Sequence, residues 1–128
     1  MAGRVELQGV EQMLAAIRQT MGDGAKTLEN KALREGGEIF AAAQRDKVPV
    51  SNINHLHIRD DIKVSGVRSK DGDKYVAIGP GKATGWRAHF LEFGTSKMNA
   101  QPFIYPSFHE QKARVAQFMA AEFRAALS

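Results

Sequence analysis

KATGWRAHFLEFGTSKMNAQPFIYPSF, running from Lys82 to Phe108, is the stretch on which the build of the chain turns. Thr84 can cap a helix, Trp86, Phe90 and Phe93 recur along one side of it, and Gly94 supplies a C-terminal stop. Alternation could also make this stretch a strand, but a short helix between Thr84 and Gly94 is the expectation, because it gives Gly94 a role as its stop. From Gly94 to Pro106 the periodicity fades and Pro102 and Pro106 stiffen the chain, which predicts an extended arm. Ser107 then opens a last helix. Phe108, Val115, Phe118, Met119, Phe123 and Ala126 fall on one stripe of it, and Glu110, Lys112, Arg114 and Arg124 lie largely outside that stripe.

Upstream, Gly79-Pro80-Gly81 reads as the close of a strand formed by Tyr75 to Ile78. Its partner is Ile62 to Val64. Between them Gly66 to Lys74 is polar and contains Asp71-Gly72, a strong turn signal, so the segment predicts a β-hairpin with a long tip. Further back, Leu28, Ala32, Ile39, Phe40 and Ala43 mark a long helix from about Ala25 to Arg45, stopped at Val48-Pro49-Val50. Gly36-Gly37 interrupts it, as a kink or as a close crossing with another element. Val10, Met13, Leu14 and Ile17 mark a first helix, ended by Gly22-Asp23-Gly24. Alternation over Arg4 to Gln8 predicts a short strand before Gly9. Ser51 to Asp61 has no clear pattern. The expected fold class is α+β: a small, mainly antiparallel sheet with a long hairpin, packed against two or three helices including the C-terminal one. The expected organisation is one domain over residues 1–128.

Composition narrows the chemistry. The 128 residues carry 43% hydrophobic and 25% charged side chains, an ordinary globular balance. Cysteine is absent, which removes thiolate metal sites, disulfides and a thiol nucleophile. Met1 to Glu6 has no apolar stretch of the signal-peptide kind, and no apolar run reaches bilayer length, so the expectation is a protein folded in a cytoplasm with no membrane partner. The formal charge of +4 is spread from Arg4 to Arg124 rather than gathered on one element.

No catalytic arrangement is apparent. None of the serines sits in G-x-S-x-G, and Gly79-Pro80-Gly81-Lys82 is a turn rather than a phosphate cradle. His55 and His57 with Asp60 and Asp61 have the alternation that could present two imidazoles to one ion, but His89 and His109 are remote, and histidines exposed in a linker are the plainer reading. Glu92 stands alone among Phe90, Leu91 and Phe93. It is either surface-exposed or buried and paired with Arg87, and a single carboxylate is assigned no chemistry. The expected catalytic, metal and cofactor inventory is therefore empty.

The run Glu92-Phe93-Gly94-Thr95, the spacer Ser96-Lys97-Met98, and then Gln101-Pro102-Phe103 with Pro106 resemble the signature of a family of tail components from long-tailed, lambdoid-type bacteriophages. Trp86 stands where that signature has a tyrosine. Gly9-Val10 and Val48-Pro49-Val50 fall at matching places, whereas Ser51 to Leu56 departs from the Thr-Gly-x-Leu stretch common in the family. The resemblance implies a structural virion protein of the neck or upper tail, acting in tail completion or head–tail joining. It implies a ring of like copies, hexameric when assembled, around the DNA channel. Its partners would be other neck and tail proteins, with DNA passing through and no specific grip on it. Assembly would take place in the host cytoplasm.

Two other classes stand beside this one. A small basic DNA-binding module would use Arg68, Lys70 and Lys74 on the hairpin tip, although Asp71 and Asp73 dilute the charge. A metal-dependent nuclease would use His55, His57 and Asp60. For the structural reading, Met98 and Phe103 are candidate anchors of the arm in a neighbouring subunit. Phe103 fits its own core equally well, and Gly94 fits a plain helix stop at positive φ.

Overall fold

The computed structural model describes residues 10–50 and 55–127; the strand expected over Arg4 to Gln8 lies outside them, as do residues 51–54 of the link. Among the described residues the order is α1 (Val10–Met21), α2 (Asp23–Lys47), α3 (Ile58–Asp61), β1 (Ile62–Val64), β2 (Arg68–Lys70), β3 (Asp73–Tyr75), β4 (Ile78–Pro80), α4 (Gly85–Phe93) and α5 (Ile104–Leu127). The class is α+β, with helices packed on two short antiparallel ladders.

The two long helices form the frame. α2 and α5 pack along each other, and α1 lies against both. Ile17 of α1, Ala25 and Ala32 of α2 and Phe123 of α5 are buried together, with Leu28 and Met119 beside them. Further along the same helices, Phe40 stacks on Phe108 with ring centroids 5.5 Å apart. The turn between α1 and α2 uses Gly22 alone; Asp23 and Gly24 belong to α2.

Gly36-Gly37 is a crossing point within one continuous helix. A Cβ on Gly36 would lie 3.1 Å from Val115 Cγ1 of α5, and one on Gly37 would lie 2.9 Å from Val64 Cγ1 of the hairpin. The glycine pair thus lets α5 and the hairpin close on α2 at neighbouring positions. The helical penalty of about 1 kcal/mol per glycine is offset by that close packing.

The hairpin is more regular than expected. Its tip is a ladder, β2 with β3, pairing Arg68 with Tyr75 and Lys70 with Asp73. Asp71 and Gly72 turn it with φ of 53° and 83°, the two positive values that a type I′ turn requires. At its base β1 pairs with β4, Ile62 opposite Pro80 and Val64 opposite Ile78. The returning strand is therefore split, and Gly79 and Pro80 lie inside β4 rather than closing it. Ser65 to Val67 face only Val76 and Ala77, a one-residue bulge. Ser65 holds it: its N–H donates to Ala77 O, and its hydroxyl accepts the Ala77 N–H, both at 2.8 Å.

The second core gathers where the hairpin base meets α2, α3 and α4. Ala41, Val48, Ile58, Ile62, Ala88 and Phe103 are buried there. Phe103, 0% exposed, is thus an anchor within its own subunit, which corrects its candidacy as an anchor in a neighbour. Lys74 also turns inward. Its Nζ lies 3.1 Å from Asn30 Oδ1 and 3.4 Å from Glu29 Oε2 on α2, so it ties the hairpin down instead of facing phosphates. Arg68 and Lys70 are exposed.

Candidate functional site

The family-like stretch folds into a clamp with Glu92 at its centre. Glu92 is buried, and its carboxylate accepts three backbone N–H groups: Phe103 at 3.0 Å and Ile104 at 2.9 Å on Oε1, and Tyr105 at 3.1 Å on Oε2. These are the leading donors of α5, which no intrahelical carbonyl can reach. Pro106 follows and has no N–H to satisfy. Ser107 N–H then makes the first intrahelical bond, to Phe103 O, and the Ser107 hydroxyl donates to the same oxygen. Every orphan donor of that helix end is accounted for. This is why α5 begins at Ile104, three residues before the expected Ser107, and why Glu92 serves as a distant cap rather than pairing with Arg87.

Gly94 closes α4 and lets the chain double back. It holds φ 76° and ψ 179°, and a Cβ there would lie 2.9 Å from Ala100 N and 3.0 Å from Met98 O. Thr95 and Met98 bond each other through their backbones, and Gln101 N–H donates to Leu91 O at 2.7 Å. The expected arm is therefore a folded return lying against α4. Met98, Pro102 and Gln101 are exposed on it, and Thr95 Oγ1 accepts the Lys97 N–H at 3.2 Å.

The other end of α4 is pinned differently. Thr84 occupies the cap position, but its hydroxyl makes no cap bond; it donates to Asp61 Oδ2 at 2.8 Å in the buried core. That hydrogen bond, with Lys63 Nζ at 3.4 Å from the other oxygen, holds the Asp61 carboxyl below the usual range against the opposing effect of burial.

With Ala88 and Glu92 facing inward, the opposite side of α4 faces out. Trp86 and Phe93 are each 62% exposed and Phe90 is 43% exposed. His89 sits among them, its ring 5.0 Å from Phe93 and 6.1 Å from Phe90. Tyr105, also exposed, packs on His109 at 4.2 Å. The predicted stripe exists, but it is a surface. Aromatic side chains are enriched at the centres of protein interfaces, and large exposed apolar patches are uncommon elsewhere. The sequence reading missed Tyr105 and the two histidines; their spacing against Glu92 and Phe93 becomes meaningful only once Glu92 joins the start of α5 to α4.

A cleft of about 340 Å³ opens beside this face, between α4 and the segment on either side of residues 51–54. His55 and His57 meet there edge to face, with ring centroids 5.2 Å apart. Arg87 Nη1 lies 2.7 Å from His55 Nε2, and Arg87 Nη2 donates to Leu56 O. A guanidinium only donates, so His55 Nε2 accepts and its proton sits on Nδ1. Burial, Arg87 and His57, in that order, lower the His55 pKa. The histidine pair thus faces a fixed cation, and Asp60 lies beside Arg59 at 3.7 Å. No grouping of three or more His, Cys, Asp or Glu able to hold a metal occurs among the described residues.

The α+β frame thus spends the Glu92 carboxylate on a helix cap and leaves an aromatic ridge outside. Over residues 11–94 the chain matches the family described as "Bacteriophage HK97-gp10, putative tail-component", and it belongs to that family. It is a phage tail component, a structural part of the virion. The match takes in Trp86, Glu92, Phe93 and Gly94 and ends before the Gln101–Pro106 return. No curated protein and no solved structure matches the chain. Among the described residues no helix is long and apolar enough to cross a membrane.

Proposed function

We propose that this tail component acts at the head–tail junction, in tail completion or joining, as one member of a ring around the DNA channel. The observation that carries the reading is the outward face of α4. Trp86, Phe90 and Phe93 project from a helix fixed at both ends, by Thr84 on Asp61 and by Glu92 on α5. A rigid ridge loses little entropy on docking, so its apolar area goes largely into binding. Tail and neck proteins, including further copies of this chain, are the partners such a ridge serves.

The DNA-binding alternative is weaker, because Lys74 is committed to Glu29 and Asn30, leaving Arg68 and Lys70 at the tip. Electron microscopy of particles made with the gene disabled tests the placement. Full heads beside finished tails are expected; overlong or absent tails would move the protein to another step of tail building.

A further inference from the structure

We propose that the cleft beside α4 receives an acidic, aliphatic-stemmed segment of a neighbouring tail protein, its carboxylate meeting Arg87 beside His57. The inference rests on reading the α4 face as the docking surface, and it supplies the chemistry of the partner. Val50, Ile58, Leu91 and Met98 form apolar walls, and among the described residues the polar side chains lining the cleft are His55, His57 and Arg87. Among the described residues no carboxylate lines it. The nearby acids are engaged elsewhere, Asp61 with Thr84 and Lys63, and Asp60 beside Arg59. Arg87 is oriented by His55 and the Leu56 carbonyl, and a guanidinium carries five N–H donors, so these two bonds leave donors for a carboxylate. A cationic end with aliphatic walls fits Glu or Asp next to a large apolar residue. It fits a sugar–phosphate chain less well, since the walls formed by the described residues Val50, Ile58, Leu91 and Met98 are apolar.

The continuity of the cleft with the ridge supports the same partner. Phe90 belongs to both, and the Arg87 guanidinium stands 6.0 Å from the Trp86 ring centre. One neighbouring segment could cover the aromatic ridge and place its acid at Arg87.

The test is an NMR titration of the whole isolated chain with hexanoate, with hexan-1-ol, hexylamine and a short oligothymidylate as comparisons. Saturable shifts are expected at Arg87 Nε–H, the His57 ring and the Ile58, Leu91 and Met98 methyls. Hexan-1-ol should bind on the order of tenfold more weakly, as the loss of one charge-assisted pair implies. Arg87→Gln should lose hexanoate binding. Because that change could loosen the His55–Ile58 segment, Met98→Glu is the second variant: exposed, and supplying its own carboxylate, it should block hexanoate with melting unchanged. Equal binding of hexan-1-ol or hexylamine, displacement of hexanoate by the oligonucleotide, or undiminished hexanoate binding in both variants would overturn the proposal. The titration reads the lone subunit. Intact hexanoate binding together with normal joining after the ridge is removed would count against the α4 reading and leave the cleft chemistry standing.

Discussion

The Glu92 carboxylate sits 3.0 Å from the backbone nitrogen of Phe103, and through this bond the end of α4 determines where α5 begins. The two positions are eleven residues apart, with the return after Gly94 between them. Glu92→Ala would strand the buried amide of Phe103 and the part-buried amides of Ile104 and Tyr105. At about 1–3 kcal/mol for a stranded buried donor, partly relieved by water at Tyr105, a loss of about 3 kcal/mol or more is expected. Glu92→Gln keeps one acceptor oxygen and should lose less. Urea unfolding of both variants checks the order; equal, small losses would show that the cap is incidental.

Gly94→Ala should destabilise by about 2 kcal/mol or more. The strain has two sources, a φ of 76° and an added Cβ at 2.9 Å from the Ala100 nitrogen. Neither can relax without opening the return. A loss below about 0.5 kcal/mol in urea would mean that the return is looser than described.

Acid should act on Asp61 through Thr84. The folded pKa is below the ordinary 3.8, so the carboxylate contributes stability above that value and loses it as pH falls through the lower folded value. Thr84→Val removes the hydroxyl that is the main cause. The variant should be less stable than the parent near neutrality, and the gap should narrow below pH 3.8. Urea midpoints between pH 7 and pH 2 read this directly. A gap constant with pH would assign the effect to packing.

The hairpin charges should divide by burial. Lys74→Ala should cost about 1 kcal/mol, because Lys74 joins the tip to Glu29 and Asn30 of α2. Arg68→Ala with Lys70→Ala should stay within about 0.5 kcal/mol of the parent, both being exposed. If the double variant also abolished a steeply salt-dependent DNA affinity of the parent, the tip would be a phosphate-binding element after all.

What could be read in advance followed local periodicity. The α5 stripe and the α2 stripe each repeat over several turns, and Asp71-Gly72 names its own turn type. What escaped depends on distant partners. Ser107 looks like a helix start because serine caps locally, and nothing within three residues of it discloses Glu92. Lys74 looks like a free tip charge until the hairpin folds back on α2. On α4, periodicity grouped Trp86, Phe90 and Phe93 correctly, but a helix wheel does not say which side is buried. There the small Ala88 and the capping Glu92 occupy the inner face. Phe103 had two equal readings in sequence, and burial beside Ala41 and Ala88 chose the core. The aromatic surface was legible as composition and illegible as direction.

The most direct measurement is electron microscopy of phage carrying Trp86→Ser and Phe93→Ser together, after confirming that the isolated double variant melts normally. Both side chains are 62% exposed, so folding should be nearly untouched. Removing exposed aromatic anchors of a docking ridge typically costs about 2 kcal/mol or more each at an interface. Full heads and complete but separate tails are expected. Normally joined, infectious particles from a double variant that folds would contradict the assignment of the α4 face as the docking surface.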